Sequence, residues 1–150
     1  MIAAQATRKI MINEAEAAPD GQSDDAFYFP QGMAGFSEAR DFGFIYQGHG
    51  DIVCIQSIDH PEAAFLMTQW DEQRLGKTPI LSADQCNCIQ ASSQQDIMWM
   101  VVLNPFIDTQ WVTANLKAPV ALNPKARTGI QCIRQEAELD LRYHWMRQPA

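Results

Sequence analysis

The sharpest local candidate for a metal site in the 150-residue sequence is the cysteine pair Cys86 and Cys88. In an extended segment, residues two apart point to the same side, so both sulfurs would face one way, together with Gln90. Zinc-binding cysteine pairs are usually separated by at least two residues, and no second pair accompanies this one. The spacing therefore favours two ordinary strand residues, and we expect neither a metal site nor a cofactor.

Nucleophilic catalysis would need a cysteine or serine activated by a base, and the sequence offers three histidines for that role. His49 falls at the tip of a predicted hairpin, His60 precedes a proline in a turn, and His144 alternates with apolar residues and should face solvent. No glycine-rich nucleophile elbow is present. We therefore predict that the chain is not an enzyme, with a small metal-dependent enzyme using Cys86 and Cys88 as an alternative.

A glycine-rich turn lies early in the chain, at Pro30, Gly32 and Gly35. No Gly-Lys-Ser/Thr sequence follows it, so it is not a phosphate-binding loop. Glycines at these positions indicate a tight reversal with positive φ or close packing, and Phe36 should fill the core beneath it. We interpret the turn as structural.

Acidic residues are concentrated in the first half of the chain. The net charge is −7, and residues 1–72 hold twelve acidic residues against three basic ones. This balance argues against a nucleic-acid binder, which needs clustered Lys and Arg. An acidic half, including the loop predicted at 13–26, instead suggests steering of a basic partner.

Length and hydropathy predict one soluble domain over residues 1–150. The hydrophobic fraction is 47%, and no apolar run approaches the roughly 18 residues that a membrane span needs. Arg8 and Lys9 follow the first apolar residues instead of preceding them, which is the wrong order for a secretory signal. We expect a cytoplasmic protein without membrane contact, whose four cysteines stay reduced.

Short alternating segments separated by turn residues predict an all-β, barrel-like fold of eight or nine strands with little helix. A first strand is predicted around Ile10 and Ile12, a hairpin over residues 42–55, and a buried central strand at Ile97–Leu103. Residues 70–79 should form a polar loop, in which Trp70, like Trp111 further on, is available for contact. Residues 137–146 alternate strictly, although a short helix burying Ala137, Leu141 and Trp145 also fits.

The stretch from Asn115 to Asn123 is a strand with an interruption. Leu116, Val120 and Leu122 supply core side chains, whereas Pro119 has no amide hydrogen and belongs at a strand end, an edge or a bulge. The sheet should therefore change direction or end here. Both asparagines are suited to capping turns.

Three segments in this order and spacing resemble the bacterial flagellar assembly factor FliW family. They are Phe29 to Phe36, then Ile55-Gln56-Ser57 with Ala64-Phe65, and above all Thr113 to Asn123 followed by Arg127, Gly129, Gln131 and Ile133. The resemblance spans residues 27–134. Three separated segments that agree are specific, whereas the first turn alone would be weak evidence.

The resemblance implies a non-enzymatic protein that works by changing partners. Family members bind the translational repressor CsrA, which relieves repression of flagellin synthesis, and they bind flagellin itself in the cytoplasm. The acidic half suits a basic, RNA-binding partner such as CsrA. A flagellin-specific chaperone that does not bind CsrA is the alternative, and direct binding of nucleic acid is not expected.

We expect the family's most diagnostic stretch to lie near the partner surface. The predicted contacts are Asn115, Leu116, Lys117, Ala118, Pro119 and Asn123. The segment 70–79 and the C-terminal segment 135–150 depart from the family's pattern, so no contact residue is predicted in either.

Overall fold

The computed structural model describes residues 26–46, 51–136 and 138–148. The strand predicted at Ile10 and Ile12, nearly all of the acidic loop at 13–26, His49 and Ala137 lie outside these ranges. No helix within them has the length and apolar character that a membrane crossing requires.

Eight strands and two short α-helices make up the regular structure of the described residues. The strands are β1 (Phe27–Tyr28), β2 (Asp41–Tyr46), β3 (Val53–Ser57), β4 (Ala64–Gln69), β5 (Met98–Asn104), β6 (Trp111–Asn123), β7 (Thr128–Gln131) and β8 (Tyr143–Arg147). The helices are α1 (Glu72–Leu75) and α2 (Ala83–Cys88), and a 3₁₀ turn follows at Gln94–Asp96. The predicted all-β fold with eight or nine strands and little helix is confirmed.

Seven strands close into a barrel in the order β5-β4-β3-β2-β1-β7-β6, and β6 returns to β5. Neighbouring strands are antiparallel except β1 and β7, which meet in parallel where Tyr28 pairs with Thr128. Strand β8 is added outside the ring, on β6. The predicted hairpin is β2 and β3, and the predicted central strand is β5, which has a neighbour on both sides.

Aromatic side chains fill the barrel interior. Phe27 packs edge-to-face on Phe44 with ring centroids 5.3 Å apart, and Phe29 packs similarly on Phe42 at 5.1 Å. Edge-to-face pairs add about 0.5–1.5 kcal/mol each beyond the area that they bury. A second buried cluster lies under α2, and a third lies between the first half of β6, β8 and α1.

The extended segment predicted around Cys86 and Cys88 is wrong, because both residues lie on α2. The helix begins with a capping box, in which the Ser82 hydroxyl accepts from the backbone N–H of Gln85 at 3.1 Å and the Gln85 carbonyl oxygen Oε1 accepts from the N–H of Ser82 at 2.9 Å. These two bonds satisfy backbone N–H groups that have no partner within the helix at its N-terminus. The Ser-x-x-Gln spacing that predicts a capping box is present in the sequence. In the structure it outweighs the alternation that predicted an extended segment.

Two other local predictions need correction. The polar loop at 70–79 contains the helical turn α1, which Asp71 caps by accepting from the N–H of Gln73 at 3.0 Å. The alternating segment at 137–146 is a strand only over Tyr143–Arg147, because residues 138–142 form turns; the alternative helix is absent from 138–148.

Candidate partner-binding surface

The stretch Asn115–Asn123 lies where β6 exchanges one neighbour for another. Residues 111–114 of β6 pair with β8, whereas residues 120–123 pair with β7. On the opposite edge the register with β5 jumps, since Val102 pairs with Asn115 while Met100 pairs with Val120. Four residues of β6 thus lie opposite one residue of β5. The predicted interruption is confirmed as a bulge-like irregularity, with Pro119 inside it.

Backbone chemistry explains why β7 ends there. The N–H groups of Cys132 and Arg134 still donate to the carbonyls of Pro119 and Lys117, at 2.8 and 2.7 Å. Neither bond is returned, because Pro119 has no N–H and the N–H of Lys117 donates to Asn115 Oδ1 at 3.0 Å. Only half of the hydrogen bonds of a regular ladder form here, so strand β7 ends at Gln131.

Both asparagines cap turns, as predicted. Asn115 accepts from Lys117, and Asn123 Oδ1 accepts from the N–H of Lys125 at 3.2 Å. Asn123 also donates through Nδ2 to the carbonyl of Ile89 at 2.8 Å, at the end of α2, where Thr128 donates as well. Asn123 is therefore a buried connection between the barrel and the helix.

The predicted contact residues divide by burial. Leu116, Ala118, Pro119 and Asn123 are buried, and only Asn115 and Lys117 of the predicted set are partly exposed. A partner that docks on this conformation would therefore meet the stretch through these two side chains. Contact between the stretch and a partner stays a prediction.

The glycine turn has the predicted geometry. Gly32 has φ 67° and Gly35 has φ 84°, and a Cβ on Gly32 would lie 2.5 Å from the carbonyl oxygen of Phe36. Phe36 is partly buried against the barrel core, where its ring meets Phe65 edge-to-face at 5.7 Å. Only glycine fits at position 32, on grounds of both backbone conformation and space.

Gln131 connects this turn with the β6 stretch. Its Oε1 accepts from the N–H of Ala34 at 2.8 Å, and its Nε2 donates to the carbonyl of Ala118 at 3.2 Å. Two segments that are about 80 residues apart in sequence are thus joined by one side chain. Sequence reasoning placed Gln131 in the family motif but had no local signal for this bridge.

An acidic cleft opens beside the same turn. It has a volume of about 340 Å³ and is lined by Phe36, Glu38, His60 and Glu62, among others. Glu38 and Glu62 are exposed, and His60 Nδ1 lies 3.8 Å from Glu62 Oε2. Seven of the twelve acidic residues in the first half of the chain lie in the described part, and six of them are exposed. A surface of this sign attracts cationic groups.

The residues that could carry catalysis are not assembled into a site within the described ranges. Cys54 and Cys132 are buried, and burial raises the pKa of both thiols, that of Cys132 to about 11. His144 is exposed and stacks on Trp111 with ring centroids 4.6 Å apart. No group of three His, Cys, Asp or Glu side chains suited to a metal ion occurs in these ranges. A thiol held neutral by burial is a poor nucleophile.

Both tryptophans that were predicted to be available for contact are partly buried. Trp70 is half-buried between the second and third clusters and donates through Nε1 to the carbonyl of Gly76 at 3.0 Å. Trp111 stacks on His144, and the guanidinium carbon of Arg147 is 4.9 Å from its ring centroid. Contact of either tryptophan with a partner stays a prediction.

The described residues form a closed seven-stranded barrel with one appended strand, two short helices and an acidic face. This architecture is that of a small β-barrel protein with a charged surface. A family model described as "FliW protein" matches residues 11–145, and the chain belongs to the FliW family of flagellar assembly factors.

Individual relatives agree with this assignment. The flagellar assembly factor FliW of Borrelia turicatae is 31% identical over 118 residues, which cover 78% of this chain and 90% of that protein. The protein of the same name from Thermotoga sp. strain RQ2 is 29% identical, and the match covers 81% of this chain and 83% of that protein. A crystal structure of the flagellar assembly factor FliW superposes with a TM-score of 0.67 at 24% identity, covering 81% of this chain and 85% of that one. That likeness supports the fold.

Proposed function

We propose that this chain is a cytoplasmic flagellar assembly factor that binds CsrA and thereby relieves repression of flagellin synthesis. Flagellin is the second partner, and free flagellin holds the factor away from CsrA until it is secreted. The proposal assigns no enzymatic step to the chain. Its support is membership of the FliW family, whose match covers residues 11–145.

The observation that carries the CsrA part of the proposal is the acidic cleft beside the glycine turn. Glu38 and Glu62 are exposed there, and Asp41 and Asp59 are exposed near them in sequence. An RNA-binding repressor needs a basic surface, so a negative face is complementary to it. The same face would repel RNA from a repressor that it holds. Attraction of this kind weakens as salt shortens the Debye length from about 10 Å at 0.1 M to about 3 Å at 1 M.

Isothermal titration calorimetry with purified CsrA and with purified flagellin tests the proposal. We expect micromolar or tighter binding of each, with the CsrA affinity falling as salt rises. The double variant Glu38→Lys, Glu62→Lys should weaken CsrA binding by about tenfold or more, since close interfacial charge pairs contribute at least about 1.5 kcal/mol.

Glu138→Lys is the matched control for each of the single variants Glu38→Lys and Glu62→Lys, because it is also exposed and changes charge equally but lies in the C-terminal segment. Binding of flagellin without CsrA would favour the chaperone alternative. Binding of neither protein would falsify the proposal.

A further inference from the structure

The loop between β5 and β6 presents an apolar side chain to solvent. Phe106 is 91% exposed, the most exposed of the large apolar side chains in the described residues, and Ile107 beside it is 45% exposed. Burying a phenylalanine side chain contributes about 1.5–3 kcal/mol to folding stability, and the exposed Phe106 does not make this contribution. A single exposed apolar residue is common, however, and the loop needs a second property before it indicates a surface for binding.

The second property is that hydrogen bonds hold the loop in one conformation. Asn104 Oδ1 accepts from the N–H of Phe106 at 2.8 Å. Gln148 donates through Nε2 to the carbonyls of Pro105, Asp108 and Trp111, at 2.6, 3.1 and 3.1 Å. A fixed loop loses little conformational entropy when a partner covers it, so its apolar residues contribute more of their burial to affinity.

A cleft of about 260 Å³ lies beside this loop. Its lining combines residues from β5, β6, the loop and the turn before β8: Val102, Asn104, Ile107, Thr113, Asn115, Leu141 and Arg142. Leu141 is 55% exposed and provides an apolar wall together with Ile107. Asn115 is the partly exposed member of the β6 stretch described above, so the cleft adjoins the predicted contact region.

The amide and guanidinium groups of the cleft that remain open are hydrogen-bond donors. The oxygens of Asn104 and Asn115 are fixed by the backbone N–H groups that they accept from, which leaves both Nδ2 amides as donors. Neither amide, nor the guanidinium of Arg142, has a partner among the described residues. Arg142 is exposed, and only its backbone N–H is engaged, with Asp140 Oδ1 at 2.8 Å. A cation and two amide donors fit a carboxylate, and the neighbouring Asp140 carboxylate is bound to the backbone N–H of Arg142.

We propose that this cleft is a docking site for a protein partner that presents an apolar side chain next to an aspartate or glutamate. The apolar side chain enters between Ile107 and Leu141, and its neighbouring carboxylate meets Arg142 and the two asparagine amides. Phe106 packs against apolar surface of the partner at the rim. The inference rests on the proposed function only in that the partner is a protein. The docking cleft and the acidic cleft are lined by different residues.

Charge supports an acidic occupant over a basic or nucleic-acid one. Among the described residues that line the cleft, Arg142 alone is charged, so a basic segment would place like charges together. Nucleic-acid binding needs several cations along a groove, and one arginine does not supply them. A bidentate carboxylate contact is the interaction for which a guanidinium is best shaped.

NMR titration of the full-length, ¹⁵N-labelled protein tests the proposal directly, with the capped peptide acetyl-Ala-Leu-Glu-Ala-amide as the probe. The side-chain amide signals of Asn104 and Asn115 should shift, with saturation in the millimolar range that such a short peptide reaches. Acetyl-Ala-Leu-Gln-Ala-amide should give at most a tenth of that shift. The peptide acetyl-Ala-Ala-Leu with a free C-terminal carboxylate should bind more weakly than the glutamate peptide.

Variants separate the cleft from general charge. Arg142→Gln should abolish the shifts, whereas Arg147→Gln, which removes an exposed positive charge on β8 outside the cleft, should leave them. Equal shifts with both peptides, no shift with either, or tighter binding of the free C-terminus would overturn the proposal. Concentration-dependent shifts of the same amides without peptide would also overturn it, because a second copy of the chain would then fill the cleft. None of these outcomes depends on whether CsrA or flagellin binds.

Discussion

Single side chains join segments that are distant in sequence, and two asparagines of the β6 stretch illustrate how different their roles are. Asn123 is buried and bonds the end of α2, whereas Asn115 is partly exposed and lines the cleft beside the loop at 105–110. Both match the same family segment. Their roles therefore differ because of position in the fold, and one stretch combines scaffold and surface.

We expect the two asparagines to separate stability from binding. Asn123→Ala removes a buried donor from Ile89 and should lower the free energy of unfolding by about 1–3 kcal/mol, with affinity for flagellin or CsrA unchanged in the folded protein. Asn115→Ala should lower stability by no more than about 1 kcal/mol but weaken binding. Chemical denaturation and calorimetry on both variants measure the two effects. Equal losses of stability and binding in both variants would leave the stretch as scaffold alone.

Gly129 is required because the ring of Phe29 occupies the space that a side chain would need. A Cβ at position 129 would lie 2.5 Å from the ring, in the barrel core where Phe29 is fully buried. Gly129→Ala should therefore lower the free energy of unfolding by about 1–3 kcal/mol or more. Gly43→Ala, in β2 with no atom within 4 Å of its Cβ, is the control and should be neutral or stabilising. A thermal melt in which both variants behave alike would contradict the packing described for Gly129.

The buried thiols predict a loss of stability at alkaline pH. Burial raises the pKa of Cys132 to about 11 from an ordinary 9.0, with Cys88 adding to the rise and Arg134 opposing it. Because the folded state disfavours the thiolate, the contribution is complete below pH 9.0 and is lost as the pH rises to about 11. Cys132→Ala should show a smaller loss of unfolding free energy than the wild type over this interval. Parallel pH profiles for the two proteins would show that Cys132 is not responsible.

The short helix α2 depends for its stability on the contacts at its two ends. A helix of six residues is far below the length at which isolated helices are stable, so caps and packing must hold it. Its first turn has the capping box of Ser82 and Gln85, and its last turn precedes the fully buried Ile89. The helix thereby covers the second cluster of the core.

Ser82→Ala should therefore cost about 1 kcal/mol of unfolding free energy, as loss of an N-cap hydroxyl does elsewhere. Ser82→Asp should retain most of the stability, since aspartate also caps helices well. Ser92→Ala is the control, because the side chain of Ser92 is exposed and makes no hydrogen bond among the described residues. Urea denaturation distinguishes the variants, and a Ser82→Ala midpoint equal to that of Ser92→Ala would contradict the role of the cap.

At the scale of the whole molecule, the sequence predicts the features whose causes are local. The alternation in β2 and β3, the apolar run of β5, the positive φ at Gly32 and the interruption at Pro119 each follow from nearby residues. The capping box of α2 was also local but was obscured by a competing period-two pattern. These features fix the fold class and most of the strands.

Features that depend on distant pairing could not be predicted. The exchange of β8 for β7 along β6, the bridge made by Gln131, and the cleft that gathers β5, β6 and the turn before β8 all join segments far apart in sequence. The alternating segment at 137–146 is a strand only where it pairs with residues 111–114 of β6, so the strand is shorter than its pattern. Burial of Leu116, Ala118, Pro119 and Asn123 follows from the same closure of the barrel.

We propose that this chain frees flagellin messenger RNA from CsrA and is itself held back by flagellin. Fluorescence anisotropy of a labelled flagellin leader RNA bound to CsrA measures this directly as the protein is added. We predict that the anisotropy falls to the value of free RNA, that excess flagellin restores it, and that Glu38→Lys, Glu62→Lys requires a higher protein concentration for the same fall. Anisotropy that stays at the CsrA-bound value at saturating protein would contradict the claim.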